Sequence, residues 1–131
     1  METPMNYALR LLKIKNYYIK EMHDKLIKKY SVSDANKCIK ELINNDYLND
    51  KELVYLKMNY LIKDKLYGKN YIINYFIKKN ISNNLVLYNL NRFDENIFEQ
   101  NKDILVKRLL SKGKDLNHIE LYLLRRGYNT E

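Results

Sequence analysis

The stretch Tyr75-Phe76-Ile77-Lys78-Lys79-Asn80-Ile81 decides the reading of this chain. Two apolar residues precede two lysines, then a turn-forming Asn, then Ile. A related phrase, LIKKY, occupies residues 26–30, and a third, LLRRGY, occupies residues 123–128. Each reads as the last turn of a helix. Met22 and Leu26, Ile72 and Phe76, and Ile119 and Leu123 are corresponding pairs four residues apart, so each pair lies on one apolar helix face. The basic pairs Lys28–Lys29, Lys78–Lys79 and Arg125–Arg126 fall where positive charge complements the negative end of a helix. Asn80 and Gly127 are residue types that enter left-handed backbone and so stop a helix.

Working outward from these phrases, helical periodicity fills most of the chain. The first group has segments at residues 6–15, 19–30 and 32–43, the last stopped by the Asn and Asp of residues 44–50. Its third segment carries the stripe Ala35, Cys38, Ile39 and Leu42, with Ser33 as its expected N-cap. Asp50 is expected to cap a long helix through residue 66, Gly68 to open the next, and Ser82 to cap a third. A last group starts at Asp94 with a long helix ended by Gly113, followed by one capped by Asp115 or Asn117 and closed by Gly127. The reading is therefore an all-α domain of tandem three-helix repeats. The repeats span about 6–49, 50–92 and 94–131, and the last helix of the third is missing or very short. Such helices cannot bury their stripes alone, so neighbours must complete the core.

Composition agrees. Three Gly and one Pro in 131 residues are too few for the turns of an all-β protein. The formal charge of +8 favours anionic partners, or else serves solubility. Cys38 is the only cysteine, so no intramolecular disulfide forms, which fits a cytoplasmic setting. No apolar run is long enough to span a bilayer, and the helices carry core-sized stripes without Trp or a clean basic–apolar division, so no membrane partner is expected.

The residues that carry chemistry are sparse. His23, His118 and Cys38 have no metal-ligand spacing, and the Gly-Lys of "SKGKD" lacks the rest of a phosphate loop. Asp46 and Asp50, four apart, read as turn and cap residues. No nucleophile and base pair stands out, so no enzyme activity, catalytic residue, metal or cofactor is expected.

The order of the phrases resembles the RecX family, bacterial regulators of the RecA recombinase. The resemblance rests on Ala8-Leu9, Leu12 and Lys15, then "EMHDKL" at 21–26, then "NDYLND" with Tyr47, Leu48 and Asp50. It continues through Gly68 and "KKNI" and closes on "RRGY", covering about residues 7–128. Three positions depart from the family pattern. Tyr18 stands where the family has a Ser or Thr cap, a role Asn16 could take. Lys15 replaces an Arg, and Asn80 replaces a Gly.

The resemblance implies an elongated, curved array of three-helix repeats. It also implies a monomeric cytoplasmic bacterial protein that binds the RecA–single-stranded DNA filament and restrains RecA in recombination, DNA repair and the SOS response. Single-stranded DNA alone would be bound weakly. Two other readings compete: a helical DNA-binding module acting without RecA, and an adaptor for an acidic protein.

Two acid-free segments are the expected contacts. One holds Arg10, Lys13, Lys15 and Lys20, and the other Lys65, Lys69, Lys78, Lys79 and Arg92. Arg125 and Arg126 of the closing phrase join them. Tyr67, Tyr71 and Tyr75, spaced by four within the second segment, offer rings for base stacking or for the core.

Overall fold

The computed structural model describes residues 1–129, which form eight α-helices, one π turn and no strand. The chain divides into two units, Met1–Leu53 and Val54–Glu131.

In the first unit, α1 (Pro4–Leu12), α2 (Ile19–Ile27) and α3 (Val32–Asn44) pack on one another. Thr3 caps α1 through its hydroxyl, with Pro4 in the first turn, where a missing N–H costs nothing. Ser31, rather than Ser33, caps α3: its Oγ accepts from the Asp34 amide at 3.1 Å. The α2 cap also differs from expectation. Asn16 plays no part; the Tyr18 amide donates to Glu21 Oε1 at 3.0 Å, and the Ile19 amide donates to Asp50 Oδ1 at 2.8 Å. Asp50 therefore caps a helix 31 positions upstream, while Asn49 caps its own helix by accepting from the Glu52 amide. Burial raises the Asp50 carboxyl above its ordinary range, and the Ile19 amide partly offsets this. The core gathers Ala8, Met22, Leu26, Ala35, Leu42 and Leu48.

Helix α4 (Asp50–Asn59) carries the boundary between the units and runs into a π turn, Tyr60–Asp64. The second unit then contains α5 (Lys69–Lys78), α6 (Asn83–Leu90), α7 (Ile97–Ser111) and α8 (Leu116–Arg125). Ser82 caps α6 and Asp115 caps α8, as the sequence suggests. Helix α7 begins three residues later than expected, because Asp94 folds into a turn in which its carboxylate accepts from the Asn96 amide at 2.8 Å.

The three closing phrases place equivalent residues in the core. Leu26 and Phe76 are fully buried and Leu123 nearly so, as are Met22, Ile72 and Ile119. Two of the phrases end in the same way. After α5 the Asn80 amide donates to Ile77 O and the Ile81 amide to Phe76 O, with Asn80 at φ 61°. After α8 the Gly127 amide donates to Leu124 O and the Tyr128 amide to Leu123 O, with Gly127 at φ 92°. In both, the residue after the left-handed one, Ile81 or Tyr128, is buried and seals the end. The first phrase lacks this motif: Lys29 and Tyr30 both donate to Leu26 O, with no positive φ there. Tyr30 occupies the position of Asn80 and Gly127, and a Tyr cannot enter left-handed backbone cheaply.

The last phrase also completes the second unit. The π turn and the two residues after it leave carbonyls that no helical amide reaches. Asn101 Nδ2 donates to Ile62 O at 2.9 Å, the Arg126 guanidinium to Lys65 O, and the Tyr128 hydroxyl to Leu66 O at 2.7 Å. Leu66 is itself left-handed, at φ 57°. Gly68, the side-chain-free N-cap of α5, donates its amide to Arg126 O at 2.7 Å, and the Asn70 amide donates to Gly127 O at 3.1 Å. The positive end of α5 thus meets the negative end of α8. The two backbones touch: a Cβ on Gly68 would stand 2.4 Å from the Gly127 carbonyl carbon.

Burial pushes the Tyr128 hydroxyl up to about 12 from an ordinary 10.0. The folded state favours the neutral phenol, so this contribution is intact below pH 10 and fades as pH rises toward 12. Tyr128→Phe is expected to cost about 1–3 kcal/mol near neutral pH, because it strands the Leu66 carbonyl. In denaturant unfolding, the gap between wild type and Tyr128→Phe should narrow across that alkaline window. A gap independent of pH would remove the hydroxyl from this role.

Candidate nucleic-acid interface

The cations picked out by the sequence divide sharply once folded. In the first unit, three of four have a nearby carboxylate. Arg10 makes two 3.0 Å bonds to Glu2, Lys15 lies 3.5 Å from Glu21, and Lys20 lies 3.5 Å from Asp24. The hydrogen bond to Arg10 holds the Glu2 carboxyl below its ordinary range. Arg10 and Lys29 also approach the Tyr7 ring, and Lys15 that of Tyr17. Lys13 forms no ion pair among the described residues. A segment free of acids in sequence is therefore not free of them in space.

In the second unit, α5 and the end of α8 border a cavity of about 360 Å³. Its lining includes Tyr71, Tyr75, Lys78, Lys79 and Arg125, together with Asn70, Asn74, Leu124 and Gly127, and contains no carboxylate. The contact between Gly68 and Gly127 explains the convergence: it lays the last turn of α8 beside α5, so two of the three basic phrases meet. Lys78, Lys79 and Arg125 are exposed and have no acidic partner among the described residues.

The aromatic row serves both purposes. Tyr67 and Tyr71 stack with ring centroids 3.7 Å apart, and the Arg126 guanidinium lies 4.3 Å from the Tyr67 ring. Arg126 is half-buried in this stack and bound to Lys65 O, so its charge braces the unit. A hydrogen bond to Tyr67, with burial second, raises the Tyr71 hydroxyl. Two cations lie near the Tyr75 ring, Lys57 at 5.7 Å and Lys79 at 5.8 Å from its centroid.

The remaining candidates lie apart from the cavity. Lys69 borders a different hollow, lined also by Asp94 and Glu95. Lys65 has its Nζ 5.8 Å from the Tyr60 ring. Arg92 lies 3.7 Å from the Tyr55 ring and donates to Asn89 Oδ1. Sequence reasoning missed Lys57 and Asn74. The signal for Asn74 was present, because Asn70 and Asn74 follow the same four-residue spacing as the tyrosines.

No family model matches the sequence, and no curated protein matches it. The fold does have a counterpart. A crystal structure of RecX from Lactobacillus salivarius aligns over 97% of this chain and 87% of its own, with a TM-score of 0.85 and 22% sequence identity. The protein is an all-helical one with a RecX-like fold. Among the described residues, no helix is long and apolar enough to cross a membrane.

Proposed function

We propose that this chain is a RecX-like regulator that binds the RecA–single-stranded DNA filament and inhibits RecA recombinase and ATPase activity. The observation that carries the reading is the likeness to the Lactobacillus salivarius RecX structure over nearly the whole chain. The sequence phrases that resemble the RecX family point the same way, and the carboxylate-free basic cavity adds a place for an anionic partner. The reading gives the chain no chemistry and no cofactor, and makes it a monomer of the bacterial cytoplasm. A filament of repeating subunits suits a protein built from repeats, since several modest contacts multiply in affinity.

Lys78, Lys79 and Arg125 are the strongest contact candidates, and Lys69, beside Asp94 and Glu95, is weaker. Arg10, Lys15 and Lys20, each already near a carboxylate, come below them. The test is RecA ATPase on single-stranded DNA, titrated with wild type and with Lys78→Glu/Lys79→Glu/Arg125→Glu. Wild type should inhibit; the triple variant should remain helical by circular dichroism and inhibit at least about tenfold less well. Wild type without effect on RecA would end this reading.

A further inference from the structure

We propose that the cavity between α5 and α8 is a single-strand nucleotide site, in which an unstacked base meets Tyr75 and the flanking phosphates meet Lys78, Lys79 and Arg125. The regulator reading supplies the biological strand, but the binding itself needs no RecA. Three features select this occupant. The charge is wholly positive, with three exposed cations and no carboxylate in the lining. The volume, about 360 Å³, lies at the lower end of the range of roughly 300–1,000 Å³ for small-ligand pockets. The lining also joins aromatic rings to side-chain amides, the combination that takes a base by its face and its edge.

The parts have separate roles. Tyr67 already covers one side of Tyr71, so that ring is fixed in place, with Arg126 behind it. Tyr75 is held edge-on by Phe76, their centroids 5.1 Å apart and their planes at 85°, and is polarised by Lys57 and Lys79. An aromatic ring fixed in advance loses little freedom when a base stacks on it. Asn70 donates to Asn129 Oδ1 at 3.1 Å, whereas Asn74 is exposed and has no partner among the described residues. Asn74 is therefore the amide available to a base edge, offering both a donor and an acceptor. Duplex DNA hides its base faces, so it can use the cations but not the tyrosine.

The experiment measures anisotropy of a labelled oligothymidylate without RecA, alongside an abasic strand of equal length and a duplex. Wild type should bind the base-containing strand more tightly than either of the others. Tyr75→Ala should weaken the oligothymidylate roughly five- to hundredfold and leave the abasic strand unchanged, while Tyr75→Phe retains binding. Lys78→Ala/Lys79→Ala should weaken both strands and lower the salt slope by about 1.4, near 0.7 for each phosphate no longer neutralised. Asn74→Asp, at an exposed position where misfolding does not confuse the result, should weaken both strands by roughly tenfold or more.

Oligothymidylate binding unchanged in Tyr75→Ala and Asn74→Asp would overturn the site, as would a wild type that prefers duplex or an acidic peptide. RecA ATPase inhibition is scored separately. Inhibition that survives the loss of oligonucleotide binding overturns any need for this site in regulation and leaves the regulator reading standing. Binding without inhibition does the reverse.

Discussion

Gly127→Ala is expected to cost about 2–6 kcal/mol and leave the second unit unfolded or nearly so. Two costs combine. At φ 92° an added Cβ is strained, at about 1–3 kcal/mol. The same Cβ would stand 2.3 Å from the Tyr71 amide nitrogen and 2.6 Å from the Tyr71 Cβ, so α5 must move, at a further cost of about 1–3 kcal/mol. Moving α5 away from α8 also breaks the bonds from the Gly68 and Asn70 amides to the α8 end. Gly113→Ala is the control: its φ is 77°, but nothing lies within 4 Å of the added Cβ, so only the backbone strain applies. Chemical unfolding of the two variants should show Gly127→Ala as clearly the worse. Equal losses would mean that the contact between α5 and α8 contributes nothing.

Phe76→Ala is expected to cost about 3–5 kcal/mol, the range for removing a buried aromatic side chain. Phe76 is fully buried, and its ring meets Tyr75 edge-on. Its carbonyl accepts the Ile81 amide that ends α5. Its equivalents, Leu26→Ala and Leu123→Ala, should cost about 2–5 kcal/mol each. Thermal melting checks all three. An unchanged melt for Phe76→Ala would break the equivalence of the repeats. Ile77→Ala next door, where the side chain is about half exposed at 49%, should lose far less.

What the sequence made legible was local. Leu26, Phe76 and Leu123 follow from four-residue spacing, and Ser82, Asp115, Asn80 and Gly127 from the stereochemistry of single residues. The pairing of distant residues was not legible. Asp50 has the sequence of an N-cap for its own helix, yet its carboxylate serves Ile19. Asn101 lies on the buried stripe of Leu105 and Leu109, but as a polar residue it fits there by donating to Ile62 O, a partner 39 positions away that four-residue spacing does not reveal. Arg126 and Arg125 are adjacent and identical in type. One stacks inward on Tyr67 while the other borders the cavity, and only the rotation of α8 against α5 separates them. Charge counting also failed around Arg10, because Glu2, just outside the acid-free segment, folds back on it.

The clamp formed by residues 126–128 has a consequence for synthesis on the ribosome. Arg126 and Tyr128 close onto carbonyls 61 and 62 positions earlier in the chain. The first unit draws its core from residues up to Leu48, so it can settle while the remainder is still being translated. The second unit cannot. Until Gly127 emerges, the start of α5 has two amides without acceptors, and Lys65 and Leu66, just after the π turn, keep bare carbonyls. Nascent chains arrested just before Arg126 should therefore resist protease in their first half and be cut readily across α5, with protection arriving only when residues 126–128 clear the exit tunnel.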